Sequence, residues 1–274
     1  MTAPPLDTRS SVRAHAAIRT ERGPGGRTRL ETLRSDPPLT LRQTGPDVVH
    51  LVSTAAGPLG GDRLVLDVAV APGTTLEVRS IASTLVLPGP CAADSVMLVT
   101  ARVGAGASLR FVPEPTVLAA GCSHRVAVRL SLARDAAVFW REEIVFGRHG
   151  ERPGRCRSRF DAVVDGTPLL RQELVVGEPA MDGSPAVYGT ARCVGSTLVT
   201  GYGAFPAMHN HGDGPPRGEH TQAGAPESAP RRAVLGDGCA VLPLAGPGVL
   251  VSALADDAVQ LRERLQWGEA LAAP

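Results

Sequence analysis

Apolar and polar residues alternate with a period of two through much of the chain. In "RLVLDVAV", Leu64, Leu66, Val68 and Val70 fall on one side, and Val65, Asp67 and Ala69 on the other. Successive side chains of an extended strand point to opposite faces, so this segment is expected to be a strand with one face turned to a core. "APGT" then turns the chain into "TLEVRSI". Similar strand-like runs are "DSVMLVTARV", "SLRFV", "HRVAVRLSL", "AAVFWREEIVF", "CRSRFDAVV", "PLLRQELVV", "AVYGTARCV", "CAVLPL" and "VLVSAL". Turn residues interrupt the pattern about every 8 to 14 residues, a rhythm that suits stacked sheets or a β-solenoid-like coil. The expected fold is all-β: two stacked, mostly mixed sheets in a solenoid-like or sandwich arrangement, without a strict internal repeat.

Two segments depart from alternation. "HNHGDGPPRGEHTQAGAPESAPRR", residues 209–232, is polar and rich in Gly and Pro, and predicts a mobile loop insertion. The tail "DDAVQLRERLQWGEAL", residues 256–271, predicts a C-terminal helix. Asp256 or Asp257 can cap it, and Ala258, Leu261 and Leu265 line one face. The first residues, 1–11, predict a frayed end. A chain of 274 residues can bury one substantial core, so a single domain over 1–274 is expected.

Composition narrows the chemistry. Twenty-eight basic and 27 acidic side chains leave a net charge of +1, which argues against a dedicated nucleic-acid or anionic-membrane binder. Every base is arginine; the absence of lysine removes Schiff-base chemistry and any lysine-dependent phosphate loop. Five scattered cysteines suggest neither a disulfide framework nor a zinc ribbon. No apolar run reaches the roughly 18 residues a membrane-spanning helix needs, so a cytoplasmic protein is expected.

The glycines of "GPLGGDRLVLDVAV" invite a phosphate-cradle interpretation, but a strand follows where a helix N-terminus would be needed. They are expected instead to form a tight turn with Asp62 and Arg63 as its polar groups. In "VFWREEIVFGRHGER", alternation puts Trp140, Glu142, Ile144 and Phe146 on one face and Phe139, Arg141, Glu143 and Val145 on the other. Glu142 thus sits on the more apolar face, where a carboxylate must be paired with an arginine, hydrogen-bonded, protonated, or lining a wet cavity or polar passage. Glu173, in "LLRQELVVGEP", shares a face with Arg171 and can pair with it; Asp62, Glu142 and Glu173 converge only if the sheets bring them together.

His209 and His211 in "HNH", with His220, offer imidazoles suited to nickel, copper or zinc. His124 and His149 stand singly near strand ends and are expected to be structural. Neither a nucleophile elbow nor a catalytic-cysteine signature is present. An aromatic content of 3% offers no stacking platform. A metal-binding cupin- or jelly-roll-like enzyme and a β-rich interaction module are the two readings that residue chemistry alone leaves open.

An ordered set of motifs favours a third reading. A Gly-Gly-Asp-Arg turn before a strand (Gly60 to Arg63) is followed by a Pro-x-Pro-Thr segment (Pro113, Pro115, Thr116). An acid then stands five residues before a Gly-Arg pair (Glu142, Gly147, Arg148). In order and spacing these resemble the UreD (UreH) family of urease accessory proteins, most closely over Val48 to Val176. Where relatives commonly carry Thr-Gln-Ala-Ala-Thr-Lys, this chain reads "RSIASTLVLPG". The resemblance implies a non-enzymatic scaffold that binds apo-urease, joins UreF and the GTPase UreG, and assists Ni²⁺ delivery through an internal tunnel; a dimeric accessory complex is compatible with it. It implies no tightly bound cofactor, with Ni²⁺ only in transit. On that basis Asp62, Glu142 and Glu173 are the candidate lining of the path.

Overall fold

The computed structural model describes residues 11–90, 92–201 and 230–272. Two sheets carry the fold, with strands numbered along the chain. The first is seven-stranded, in the order β14 (Thr167–Val176), β13 (Arg155–Val164), β11 (Ser123–Leu132), β8 (Ser95–Val103), β5 (Arg63–Val70), β1 (Arg13–Arg22) and β2 (Thr28–Arg34). The path through the second runs β16 (Val234–Gly236), β17 (Cys239–Pro243), β18 (Val249–Ala255), β15 (Cys193–Thr200), β12 (Ala137–Val145), β9 (Ser108–Val112), β6 (Thr75–Ser80), β4 (Val48–Ser53) and β3 (Leu39–Gln43). Two short strands, β7 (Thr84–Val86) and β10 (Thr116–Leu118), extend it beside β12.

Between β5 and β13 the long strands fall alternately in the two sheets. β5, β8, β11 and β13 stack in parallel in the first, and β6, β9 and β12 do so in the second. That is a β-solenoid, as the alternation and turn spacing predict. The turns at one corner also stack: Thr74 N donates to Ala71 O (3.2 Å), Ala107 N to Gly104 O (3.1 Å) and Ala136 N to Ala133 O (3.0 Å). Each coil hands its backbone groups to the next, since Gly104 N donates to Val70 O (2.9 Å) and Ala133 N to Val103 O (3.0 Å). Antiparallel strands close both ends of the parallel stack, β1–β2 and β13–β14 in the first sheet and β3–β4 and β12–β15 in the second.

The inward faces form the main core. Leu66, Val99, Val128, Leu130 and Phe160 of the first sheet meet Leu41, Val49, Leu76, Leu109, Phe111 and Trp140 of the second. Trp140 stacks on Phe111 (centroids 4.0 Å apart) and meets the ring of Phe160 edge-on at 5.7 Å.

Helices are scarce among the described residues: α1 is the single turn Pro179–Asp182, and α2 spans Ala258–Ala272. The expected cap is Asp257, whose Oδ1 accepts Gln260 N at 2.8 Å. Leu261 and Leu265 are fully buried against the outer side of the second sheet, while Ala258 is only half-buried. Gly268 faces that sheet, where a Cβ would collide with Val251 Cγ1. No helix here is long and apolar enough to cross a membrane.

Candidate functional site: a cavity between the sheets

A cavity of about 260 Å³ lies between the two inward faces. Met97 and Val99 of β8, His124, Val126 and Val128 of β11, and Cys156 and Ser158 of β13 form one wall. Trp140, Glu142 and Ile144 of β12 line it from the second sheet. Segments around Pro58, Ser80 to Thr84 and Pro113 to Thr116 complete it, with exposed Ile81 and partly exposed Glu114 among the lining.

Three acids border this cavity, Glu114, Glu142 and Glu143, and of these Glu142 lies on the inward face of β12 with Trp140 and Ile144. Its side chain is surrounded by protein and borders the cavity. Burial pushes its carboxyl up to about 7, because a charge away from water is disfavoured. The Trp140 indole, which closes no hydrogen bond to a described residue, offsets part of that shift. Among the described residues, no arginine pairs with Glu142. The arginines of this region serve other acids.

Those other acids are tied into an ionic network with α2. Arg141 forms a two-pronged pair with Glu269 of α2, its Nε donating to Oε1 at 2.8 Å, and Thr197 Oγ1 donates to the same oxygen at 2.6 Å. Arg262 of α2 bridges Glu143 (3.0 Å) and Glu114 (3.2 Å). Arg110 and Arg141 also stand over the Phe139 ring, at 4.2 and 5.6 Å from its centroid. The alternation that separates Glu142 from Arg141 and Glu143 is the alternation read from the sequence. The acidic partner on α2 could not be read there, because Glu269 is 128 residues from Arg141 in the chain.

Asp62 has a different role. Its buried carboxylate accepts Val12 N (2.8 Å) and Leu59 N (2.9 Å), joining the start of β1 to the loop that carries Gly57 and Pro58. Gly61, at φ +92°, makes the backbone conformation of this turn accessible. Gly57 and Pro58 line the cavity, so Asp62 holds part of its wall from behind. Asp62 therefore belongs to the expected tight turn, closed by Asp62 N donating to Leu59 O at 2.9 Å, whereas Arg63 already starts β5.

Glu173 does not fit the expected convergence. It lies on the outer face of the edge strand β14, opposite Arg159, with its side chain 44% exposed and 3.5 Å from Arg157. The first sheet separates it from the cavity, and its ionic partner is Arg157 rather than Arg171, which turns to Asp161 at 3.9 Å. The three acids are brought to a turn, a cavity and an outer surface. His209, His211 and His220 lie outside the described residues.

Two cavity residues carried no functional expectation. His124 faces inward with Val126 and Val128, and its Nδ1 is 2.7 Å from Ser95 Oγ. Burial pushes its pKa down to about 4, so the imidazole is neutral at pH 7. Cys156 pairs with His124 across β11–β13, and burial, with nearby Cys122 and Glu142 adding to it, pushes its thiol up to about 12. Strand parity in "SHRVAVRLSL" was the available signal, since it puts His124 on the face of Val126, Val128 and Leu130. No group of three or more His, Cys, Asp or Glu side chains able to hold a metal occurs among the described residues. The cavity can thus offer single oxygen, nitrogen and sulfur donors, and the described residues supply no closed coordination shell.

The model of the UreD urease accessory protein family matches residues 12–273. The chain belongs to the UreD family. A urease accessory protein UreD of Frankia casuarinae is 44% identical over 96% of this chain and 90% of its own length. That of Frankia alni is 42% identical over 95% and 93%, and that of Streptomyces avermitilis 38% identical over 94% and 96%. Membership of the UreD family makes this protein an accessory factor of urease maturation and not a catalyst. It sets aside both the cupin-like enzyme and an interaction module unrelated to urease.

Proposed function

We propose that this protein works in the cytoplasm as the scaffold that holds apo-urease, joined by UreF and the GTPase UreG, while Ni²⁺ passes through the cavity to the urease active site. One observation carries the cavity's part in this: Glu142 is an enclosed carboxyl without an arginine partner among the described residues, facing open volume. Keeping such a group costs stability, and a purely structural position would be filled more cheaply by an apolar residue. Carboxylate oxygen is a suitable transit ligand, because it holds Ni²⁺ less tightly than thiolate or clustered imidazole and so permits release. With its pKa near 7, Glu142 exchanges a proton for the metal close to neutrality, so capture strengthens as pH rises through that value. Asp62 supports the passage by holding the Gly57–Pro58 wall, and Glu173 takes no part in it.

The test is co-expression with the urease genes. Glu142→Gln keeps the shape and removes the charge; it should lower the nickel content and activity of urease several-fold while leaving the accessory complex assembled. Full activation by both Glu142→Gln and Glu142→Ala would sink the transit role. Glu173→Gln should activate urease like the parent protein. Asp62→Ala is expected to lower activation together with stability, because two part-buried amides lose their acceptor, at about 1 kcal/mol each.

A further inference from the structure

The outward face of the first sheet carries an ordered array of arginines. Strand register places Arg13, Arg63, Val96, Arg125 and Arg157 side by side on one rung across β1, β5, β8, β11 and β13. Three further outward rungs begin at His15, Ala17 and Arg19, and the four together hold nine arginines against three carboxylates, Asp67, Asp161 and Glu173. The whole chain is nearly neutral at +1, whereas these rungs keep an excess of arginine even with Asp94, which pairs with Arg125 at their edge. Among the described residues, Arg13, Arg19, Arg63, Arg102 and Arg129 make no ion pair.

The centre of the face differs from its surroundings. Val65, Leu98 and Ala127 are neighbours on the second rung, with Val96 beside them, all half-buried. No described element packs across them; α2 covers the other sheet. An apolar centre set among arginines is the anatomy of a protein–protein interface, where the guanidinium group supplies planar, two-pronged recognition of carboxylates. A phosphate polymer suits the face poorly, because Asp67, Asp161 and Glu173 interrupt it and no aromatic ring stands on these rungs to stack a base.

We propose that this face docks an acidic protein surface and, resting on the functional assignment above, that the acidic surface belongs to apo-urease. The arginines without ion pairs steer the encounter and meet carboxylates; Val65, Val96 and Leu98 form the dry centre.

The test uses the full chain with the combined substitutions Arg13→Glu, Arg63→Glu and Arg102→Glu. These residues are exposed and without ion pairs, so the variant should keep the parent's thermal midpoint. Binding to immobilised apo-urease is measured at low and high salt, with Arg42→Glu, exposed on β3 of the other sheet, as the control. The parent should bind about tenfold or more weakly at high salt. At low salt the triple variant should lose at least about tenfold, and Arg42→Glu should lose nothing. Parent-like binding by a folded triple variant would overturn the docking face while leaving the accessory role intact. A folded parent that fails to bind apo-urease would overturn the scaffold assignment and this partner with it. Arginine-dependent capture of duplex DNA or anionic vesicles, with urease binding unchanged in the variant, would transfer the face to a phosphate ligand and overturn the proposal.

Discussion

At the scale of single residues, the cavity sets two titrations against each other. Glu142 has a folded pKa of about 7, above its ordinary value, so the native state holds that proton more firmly than the unfolded chain. Its effect favours folding below about pH 4.5 and is lost as pH rises through 7. His124, lowered to about 4, has the opposite sign: its effect is present above about pH 6.5 and is lost as pH falls toward 4. Between these limits the two slopes oppose, and the parent protein should show a flattened pH–stability profile. Glu142→Gln removes one of them. Denaturant melts should find this variant close to the parent near pH 4.5 and more stable above pH 7.5, by up to about 3 kcal/mol. An unchanged difference across that range would show that Glu142 ionises freely.

At the scale of elements, α2 is held by a cap, a close approach and a buried ionic pair. Asp257→Ala should cost about 1 kcal/mol, measured by chemical denaturation, because Gln260 N loses its acceptor. Glu269→Ala should cost more, about 3–5 kcal/mol, since Arg141 and Thr197 are left buried without their partner. Replacing Arg141 and Glu269 together by Met should recover much of that loss, because the penalty comes from the stranded charge more than from the absent attraction. The helix, its cap and its Leu261/Leu265 face were legible in the tail, since all three depend on residues close together in the chain. Its ionic anchor was not legible, because it joins β12 to α2 over a long separation.

At the scale of the whole molecule, the parallel coils form a stack in which each turn rests on its neighbours and the end strands act as caps. Central strands have partners on both sides, whereas β2, β14, β3 and β16, at the ends of the two sheets, have one. Amide exchange should therefore be slowest in β8, β9, β11 and β12 and fastest in the edge strands β2, β3, β14 and β16. Uniform exchange would indicate a single cooperative unit in place of a graded stack. The coil repeats in space while the sequence shows no strict repeat. The long strands of the first sheet begin at Arg63, Ser95, Ser123 and Arg155, at similar but unequal intervals, and their shared property is inward apolar parity. A solenoid needs that parity and a turn at each corner, which many different sequences can supply.

By itself the sequence determined whatever local periodicity can encode: the strands and their faces, the capped helix, the Gly-Gly-Asp-Arg turn, and the position of Glu142 on the apolar side of its strand. The ordered motifs also carried the family. Tertiary structure decided which faces meet. It set Glu142 opposite His124 and Cys156 around one cavity, gave Asp62 to the wall behind it, left Glu173 on an outer surface, and aligned arginines from separate strands into rungs. The reason is physical. Parity assigns a side chain to one of two faces, but only sheet register and sheet-on-sheet packing determine what that face touches.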